Sequence, residues 1–555
     1  MSREQITELL KEALERAIAE RKLPEVDAGN IELDRPRRKE HGDWATNIAL
    51  AHASKTGANP REVARIITEA LPEAPEVISD VQIAGPGFIN FHLTPGFTRG
   101  ILFEIEEKGA LFGASRIGGG RKVQVEFVSA NPVGPLHVGH GRWAALGDSL
   151  ANVMSHAGYD VDREYYINDY GTQVENFGRS ISARYLEALG EAAEFPLDGY
   201  RGQYVVEIAR RIVAEHALTF ASLSEEERVA RFIEMEYPTM LASIGHTLER
   251  MGVTFDIWFS ERELFRKGEV EQVLSDLEGS GKAYRENGAL WLRTTDYGDE
   301  KDRVLVRSNG EPTYFASDIA YHRDKMLRGF DLVIDIWGAD HHGYIPRMKA
   351  SMDAMGFDAR RLEVVLGQLV KLFRASEQVT MSKRTGDIVT LDELLDEVGN
   401  DAARYFFLQR SADSPLDFDI ELARKKSPEN PVYYVQYAHA RICSILKYAM
   451  EAGADMSDPS LEDLNTLESE SEMDLLGKLA ELEEIVEFCA EHRAPHRLTG
   501  YAEELAAAFH AFYRDCRVVT DNAGMTRARI FAIRGTRQIL EIVLGLLGVS
   551  APEKM

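Results

Sequence analysis

Cysteine is scarce in this chain of 555 residues, which contains only three: Cys443, Cys489 and Cys516. They stand far apart in sequence of helical pattern, which argues against a disulfide framework and favours small buried side chains in a reducing compartment. Long hydrophobic runs are absent as well, so no segment is predicted to span a bilayer. Residues 1–5 open an amphipathic helix pattern rather than a secretory signal. We therefore expect a cytoplasmic protein with no membrane partner.

Positively charged residues are also few: the chain has 64 Lys and Arg against 91 Asp and Glu, which gives a net charge of −27. Such a field repels polyanions, which counts against indiscriminate binding to DNA or RNA but leaves a specific partner possible. Local basic patches lie at residues 35–39, at residues 424–426 and among the four arginines between 527 and 537. Each patch has two interpretations, an RNA contact or an ordinary solvated face.

The most informative stretch is residues 130–140, ANPVGPLHVGH. It follows an apolar run at residues 123–128 that predicts a buried parallel strand, and it precedes a helical pattern from Arg142 onward. His137 and His140 are three residues apart and share one face at the helix start. Unpaired amides at that end attract phosphate, and imidazoles there can donate hydrogen bonds to it. The stretch predicts a nucleotide site.

Two other interpretations of the histidines stay open at this point. A His-x-x-His pair can bind zinc, although no third cluster of Cys or His stands at a zinc-like spacing. A histidine at a helix start can also be an ordinary cap residue. Residues 338–343, GADHHG, could suggest metal ligands too, but adjacent histidines at a strand end point to opposite sides. We expect no dedicated metal site in the protein.

A second motif favours the nucleotide interpretation. Residues 380–386, TMSKRTG, resemble the lysine-bearing loop of class I aminoacyl-tRNA synthetases, and residues 137–140 resemble their HIGH motif. Residues 430–442, NPVYYVQYAHARI, resemble arginyl-tRNA synthetases in particular. The likeness to that family runs from residues 42–47 to residues 547–555, essentially the whole chain.

The resemblance implies that ATP activates an amino acid by carboxylate attack on its α-phosphate, so that catalysis is mostly positioning and charge neutralisation. It makes His137, His140 and Lys383 the catalytic residues. The ATP-binding residues that it implies are His137, Gly139, His140, Met381, Ser382 and Lys383. Mg²⁺ is expected with ATP, bridging phosphates and retained waters.

One departure from the family pattern concerns the lysine loop. Thr380 stands where the loop commonly begins with Lys, and residues 131–136, where related enzymes place a compensating Lys, contain none. Lys383 is therefore predicted to be the single source of that positive charge.

The resemblance also implies an arginine site. A planar guanidinium is recognised by a carboxylate through two parallel hydrogen bonds, which distinguishes it from the point charge of lysine. Tyr314 and Asp318, four residues apart on one helical face, would hold the guanidinium, and Glu126 would add negative charge. Asn131 and Asp340 would hold the α-amino end, bordered by Ser129. Without the family, Asp318 reads as a helix cap or a surface acid.

For tRNA, the resemblance implies two regions. Phe88 and Asn90 would read an unpaired nucleotide at the tRNA elbow by stacking and by edge hydrogen bonds. Tyr433, Tyr434 and Tyr437 would offer stacking faces to the anticodon. The alternatives are that Phe88 is a core residue, that Asn90 is a turn residue, and that the tyrosines pack inward.

The pattern along the chain predicts three domains, because a chain of this length exceeds one hydrophobic core. Residues 1–115 form an N-terminal α+β domain that contacts tRNA in the family. Residues 116–426 form a Rossmann-type α/β catalytic domain, a doubly wound parallel sheet with a helical insertion at about 172–251; its later strand signals lie at 289–293, 304–307, 332–337 and 364–366. Residues 427–555 form an all-α bundle, the anticodon-binding domain of the family.

The function implied is that of an arginine–tRNA ligase: L-arginine and ATP give arginyl-adenylate, and the arginyl group passes to the 3′ end of tRNA(Arg). We expect a monomer that needs tRNA for the first step. No editing domain is needed, since a site built for guanidinium hydrogen bonds rejects analogues without them. Two rivals are a catalytically inactive paralogue that binds RNA and a small-molecule nucleotidyltransferase of the same superfamily.

Overall fold

The structure is a computed structural model, and it describes residues 2–25, 31–36, 38–375, 377–379 and 389–555. The chain divides into two compact units. Unit 1 comprises Met1–Gly109, Leu446–Ala480 and Ala508–Thr536, and unit 2 comprises Ala110–Ile445, Glu481–Ala507 and Arg537–Met555. The helices of the C-terminal third thus contribute to both units.

Unit 1 contains the predicted α+β module. Its N-terminal elements are α1 (Ser2–Ala19), β1 (Leu33–Asp34), β2 (Trp44–Thr46), α2 (Ile48–Thr56), α3 (Pro60–Ala70), β3 (Ile78–Ala84), β4 (Phe88–Leu93) and α4 (Pro95–Lys108). The strands pair antiparallel in the order β1-β2-β4-β3. The core joins Ile6 and Leu10 of α1 to Trp44 and Phe91 of the sheet, because apolar residues recur at helical spacing in α1 and alternate in β4.

Unit 2 is built on a five-stranded parallel sheet in the order β12-β11-β5-β6-β7. The strands are β5 (Lys122–Glu126), β6 (Asp160–Ile167), β7 (Ile257–Ser260), β11 (Leu332–Gly338) and β12 (Leu362–Gly367). The predicted Rossmann-type sheet is confirmed. After β5 the chain continues to β6 on one side of it, and it returns later to β11 on the other side. The connections that follow β5 and β11 therefore run in opposite directions, which leaves a crevice at the carboxyl ends of these two strands.

The insertion between β6 and β7 is helical, as predicted. It contains α6 (Thr172–Ala188), α7 (Gln203–His216) and α8 (Glu225–Arg250), preceded in the chain by α5 (Val138–His156). Phe177, Ile181, Ile212 and Phe232 form a core of their own among these helices. The insertion therefore has an apolar centre separate from the core beside the parallel sheet.

Two of the strand signals do not extend the parallel sheet. Residues 289–293 and 304–307 fall in β9 (Ala289–Leu292) and β10 (Arg303–Val306), which form a separate antiparallel sheet with β8 (Ala283–Glu286). Only Asn287 and Gly288 join β8 to β9, both at positive φ as a primed hairpin turn requires. Parallel pairing needs a crossover of about a dozen residues, which this turn cannot supply.

The rest of the structure is mostly helical. The remaining elements of unit 2 before residue 427 are α9 (Glu261–Arg266), α10 (Glu269–Gly279), α11 (Tyr314–Leu327), α12 (Ile345–Ala354), β13 (Val370–Arg374), β14 (Glu377–Gln378), α13 (Leu391–Val398), α14 (Asn400–Leu408), β15 (Leu416–Asp419) and α15 (Ile420–Arg424). The C-terminal third contains α16 (Pro431–Glu451), α17 (Leu461–Leu464), α18 (Glu470–Leu479), α19 (Leu482–His492), α20 (His496–Asp515) and α21 (Ala523–Leu547). This confirms the predicted all-α end of the chain.

Four further findings bear on the sequence interpretations. All three cysteines are free thiols. Across the described ranges, no helix has the length and apolarity needed to cross a membrane. His341 and His342 lie in a 3₁₀ helix, Ala339–Tyr344, and not at a strand end. Among the residues that the structure describes, no group of three or more His, Cys, Asp or Glu is arranged to hold a metal ion.

Candidate active site

The site begins with a strained turn at the end of β5. Val128 and Ser129 have φ angles of 67° and 37°, in a region that residues other than glycine rarely adopt. The Ser129 hydroxyl donates to Glu126 Oε1 at 2.9 Å and accepts from the Tyr166 amide at 3.1 Å. The Ser129 amide also donates to the Phe127 carbonyl at 2.9 Å. These bonds hold the turn against its strain, as is common at ligand sites.

The two histidines cap helix α5. The Nδ1 atom of His137 accepts from the Gly139 amide at 3.1 Å, and Nδ1 of His140 accepts from the His137 amide at 3.2 Å. Their rings stack with centroids 3.7 Å apart. Because Nδ1 accepts in each ring, the neutral form of each carries its proton on Nε2. The cap interpretation and the nucleotide interpretation are therefore compatible, since capping leaves an N–H donor on each ring.

Arg142, two residues beyond the motif histidine His140, is a site residue that was not predicted from the sequence. Its guanidinium is buried and donates to the carbonyls of Gln368 at 2.7 Å and of Ser411 and Ser414 at 2.9 Å each. Burial lowers its pKa to about 10. Arg142 thus ties α5, near its start, to two loops. The signal available in the sequence was a charged residue in a mostly apolar helix.

The segment that follows the lysine loop in the chain contacts the start of this helix. Thr390 forms an isolated antiparallel bridge with His137, and the Leu391 amide donates to the Leu136 carbonyl at 2.8 Å. Thr390 also caps α13 through a reciprocal pair of bonds with Glu393. Residues 380–388, which include Met381, Ser382 and Lys383, lie outside the described residues. Thr390 and Leu391, which follow the loop in the chain, therefore lie beside the start of the histidine motif.

The predicted guanidinium receptors lie at the start of α11. Tyr314 opens the helix and is 54 % exposed, and Asp318 lies one turn later with its carboxylate accepting a hydrogen bond from the Tyr344 hydroxyl. Burial raises the pKa of Asp318, although the bond from Tyr344 acts in the opposite direction. Burial likewise raises the pKa of Tyr344. Tyr344 was not predicted, and nothing in its sequence surroundings marks it.

Glu126 is more heavily engaged than predicted. Its Oε2 atom accepts from Lys325 Nζ at 2.5 Å and from the Tyr321 hydroxyl at 2.9 Å, while Oε1 accepts from Ser129. Lys325 is completely buried, which is rare for lysine outside an ion pair. Lys325 was not predicted. Its signal in the sequence is a cation seven residues after Asp318, on the same face of the helix.

The two residues predicted for the α-amino group flank the crevice. Asn131 follows the strained turn and donates to Gln173 Oε1 at 2.5 Å. Asp340 lies just beyond the end of β11, where its side chain is 84 % exposed and 3.7 Å from His341 Nε2. Both positions follow the carboxyl ends of adjacent central strands, as expected for a doubly wound sheet.

The predicted tRNA residues lie outside this crevice. In unit 1, Phe88 and Asn90 stand two apart on β4; Phe88 is 40 % exposed and Asn90 only 3 %. In unit 2, Tyr433, Tyr434 and Tyr437 lie half-buried on α16, and the rings of Tyr433 and Tyr437 stack at 6.1 Å. Phe88 is thus a surface aromatic, and Asn90 is a strand residue rather than a turn residue.

Family comparisons cover nearly the whole chain. Residues 4–93 match the arginyl tRNA synthetase N terminal domain, residues 107–413 match the catalytic domain of tRNA synthetases class I (R), and residues 435–555 match the DALR anticodon binding domain. The central match contains the strained turn, both histidines and the start of α11.

Similar proteins extend over the same length. The arginine–tRNA ligase of Syntrophotalea carbinolica is 49% identical over 553 residues, covering 100% of both chains, and that of Carboxydothermus hydrogenoformans is 52% identical over 525 residues, covering 95% of this chain and 94% of its own. The solved structure of Thermus thermophilus arginyl-tRNA synthetase, 24% identical, has the same fold over 100% of both chains with a TM-score of 0.78. The chain belongs to the arginyl-tRNA synthetase family, and its parallel-sheet domain is a class I synthetase catalytic domain.

Proposed function

We propose that the protein is an arginine–tRNA ligase that uses ATP to attach L-arginine to tRNA(Arg). In the first step a carboxylate oxygen of arginine bonds to the α-phosphorus of ATP while the bond to the β-phosphate oxygen breaks, and pyrophosphate leaves with that electron pair. In the second, a ribose hydroxyl at the 3′ end of the tRNA attacks the carbonyl carbon, loses its proton and displaces AMP. The full-length likeness to arginine–tRNA ligases supports this assignment.

The observation that carries the chemistry is the capped histidine pair at the start of α5. With Nδ1 accepting from backbone amides, the neutral rings of His137 and His140 carry their N–H on Nε2, and the two rings stack side by side. Donors held before the reaction can stabilise charge that develops on phosphate oxygens without reorganising. We assign this role to both histidines, place the adenine ring against Gly139, and assign Met381, Ser382 and Lys383 to the triphosphate. Mg²⁺ would be held mainly by the phosphates of ATP.

For arginine, we propose a pocket at the carboxyl ends of β5 and β11. Asp318 and Tyr314 would bind the guanidinium, and Glu126 and Ser129 would line the pocket beside them. Asn131 and Asp340 would face the α-amino group. Two observations support this division: Asp318 is partly accessible, and its carbonyl oxygen contacts His322, which belongs with Glu126 and Asp335 to the network around Lys325.

For tRNA, we propose that residues 1–115, 116–426 and 427–555 act as elbow-contacting, catalytic and anticodon-binding domains, in agreement with the three family matches. Phe88 would stack on an unpaired base. Asn90, two residues along the same face of β4, would form hydrogen bonds with the edge of that base. Tyr433, Tyr434 and Tyr437 would serve the anticodon. We further propose a monomer that works in the cytoplasm, where its three free thiols stay reduced.

Arginine-dependent exchange of pyrophosphate into ATP tests the assignment, measured with each of the twenty amino acids and with or without total tRNA. We expect exchange with arginine alone among the amino acids, and only when tRNA is present. An inactive paralogue would bind tRNA without exchange, and a small-molecule nucleotidyltransferase would exchange without charging tRNA. Either result overturns the proposal.

A further inference from the structure

Tyr344 connects two segments of the proposed arginine pocket. It is the last residue of the 3₁₀ helix Ala339–Tyr344, which follows β11 directly and leads into α12. Its hydroxyl donates to Oδ2 of Asp318, which lies one turn into α11. The bond therefore joins the segment after β11 to the start of α11, at the predicted receptor for the guanidinium.

Three side chains pack against the ring of Tyr344. The rings of Phe315 and Trp337 each lie 6.0 Å from it between centroids, at interplanar angles of 85° and 69°. The guanidinium of Arg347 lies over the same ring, 4.7 Å from its centroid, where the aromatic face attracts a cation. Close packing of this kind restricts a side chain to few rotamers, so the hydroxyl is held in place beside Asp318.

The bond leaves Asp318 able to bind a ligand. Burial raises the pKa of Tyr344, and the nearby Asp318 carboxylate raises it further, so the hydroxyl keeps its proton and is the donor. Across the described part of the chain, no other side chain donates a hydrogen bond to this carboxylate. An ionised carboxylate offers about four lone-pair sites, so about three remain for a cationic ligand.

A guanidinium makes a stricter demand on a carboxylate than an ammonium group does. Its donors lie in one plane at fixed angles, so two parallel hydrogen bonds form only when the carboxylate lies in that plane as well. The three donors of a lysine ammonium rotate about its stem and accept other orientations. The terminal torsion of an aspartate side chain is broad, so an outside contact is needed to fix the plane of Asp318.

We propose that Tyr344 is a positioning residue that determines specificity in the arginine pocket: its hydroxyl fixes the plane of the Asp318 carboxylate, so that this carboxylate accepts two parallel hydrogen bonds from a guanidinium. The inference rests on the proposed function and adds a residue to it. It concerns the orientation of Asp318 alone and leaves the place of Glu126 in the pocket unchanged.

Tyr344→Phe tests the proposal, because it removes the hydroxyl and keeps the ring with its packing. In tRNA-dependent charging it should raise KM for arginine about tenfold, with kcat and KM for ATP within about twofold of the wild type. Lysine is the probe of orientation, measured as a competitive inhibitor of arginine charging. Its inhibition constant should stay within about twofold of the wild-type value, because an ammonium group does not need a fixed carboxylate plane.

The comparison of the two cations separates orientation from charge. The bond from Tyr344 also favours the ionised form of Asp318, because it lowers a pKa that burial raises. If this were its whole effect, loss of the hydroxyl would weaken the binding of arginine and lysine alike, and that result overturns the proposal. An unchanged KM for arginine overturns it too.

Tyr284 provides a matched control. Its hydroxyl also donates to an aspartate, at 3.1 Å from Asp302 Oδ2, but this pair belongs to the antiparallel sheet β8–β10 and its preceding turn. Tyr284→Phe should leave every constant within about twofold of the wild type, as a substitution away from the pocket usually does. Thermal unfolding of both variants verifies that they fold. Equal rises in KM for arginine would show a general loosening of the protein and refute the role of Tyr344.

The double variant Y344F/D318N tests whether Tyr344 acts through the carboxylate. Since the carboxylate is already lost in D318N, the added Tyr344→Phe should raise KM for arginine less than about twofold further. A further rise of about tenfold would place the action of Tyr344 elsewhere and refute the proposal. The wild-type protein separates the two levels of inference. If it charges no tRNA with arginine, the proposed function fails, whereas a charging wild type with an unaltered Y344F variant refutes only the role of Tyr344.

Discussion

Substitution of Gly147 by alanine should push the histidine helix α5 away from Phe127, the residue that follows β5. Gly147 lies in the middle of α5, where an added Cβ would stand 2.1 Å from Cγ and 2.4 Å from Cδ2 of Phe127. Ordinary contact begins near 3.4 Å, so the helix or the ring must move by about 1.3 Å. The Phe127 ring is fully buried against Phe255, 4.5 Å away between centroids, and has little room to give.

The magnitude follows from two opposing effects. Overpacking of a filled core costs about 1–3 kcal/mol, and the exchange of glycine for alanine in a helix returns about 1 kcal/mol. We expect a melting temperature lowered by a few degrees. The effect on rate should be larger, because His137 and His140 stand at the start of the same helix and a misplacement of about 1 Å can cost about a hundredfold.

Gly245 in α8 provides the matched control. It is also a helical glycine of unit 2, but an added Cβ there would meet no atom within 4 Å. Gly245→Ala should leave charging activity unchanged and raise the melting temperature slightly. Both variants are compared by pyrophosphate exchange and by thermal unfolding. Equal behaviour of the two would show that the contact with Phe127 does not hold α5 in place.

Three further predictions concern other parts of the protein. Asp318→Asn should raise KM for arginine by about ten- to a hundredfold while ATP binding is kept, since it removes the charge of the guanidinium receptor; unchanged arginine kinetics would refute the pocket. Burial raises the pKa of Glu261 from 4.5 to about 7, so the folded protein binds more protons there than the unfolded chain and stability falls as pH rises between these values, by about 3 kcal/mol. Glu261→Gln should flatten that decline in melting temperature between pH 5 and 8, and an unaltered slope would exclude this carboxyl as its source. Phe88→Ala should raise KM for tRNA about tenfold with an unchanged KM for arginine, because a stacked base contributes about 1–3 kcal/mol; equal charging at limiting tRNA would place the elbow contact elsewhere.

Local patterns were sufficient to predict much of the architecture. The β-branched run before ANPVGPLHVGH, the helical spacing after it and the helical insertion all rest on residues close in the chain, so their periodicity is legible without a structure. The hairpin at Asn287 and Gly288 was the exception. Its short turn is visible in the sequence. The strands at residues 289–293 and 304–307 were nevertheless assigned to the parallel sheet because strands alternate with helices in this region, and that alternation does not show which strands pair.

The basic C-terminal arginines show the limit of reading charge from sequence. Arg527 pairs with Asp455 and Asp463, and Arg529 pairs with Glu472. Their acidic partners lie more than fifty residues away in the chain. A patch that looked available to RNA is therefore largely neutralised within the protein, which favours the solvated or structural interpretation for these residues.

The linear order of residues was enough to identify the family, the strand–turn–helix at its centre and the two motifs that bind ATP in that family, because each of these is encoded by neighbours in the chain. The buried charges around the proposed arginine pocket were not encoded in this way. Asp335, Glu126 and Glu164 come from three strands, and Lys325 meets two of them only after those strands have paired in register. A buried charge is compensated by what lies beside it in space, and folding alone determines that neighbourhood.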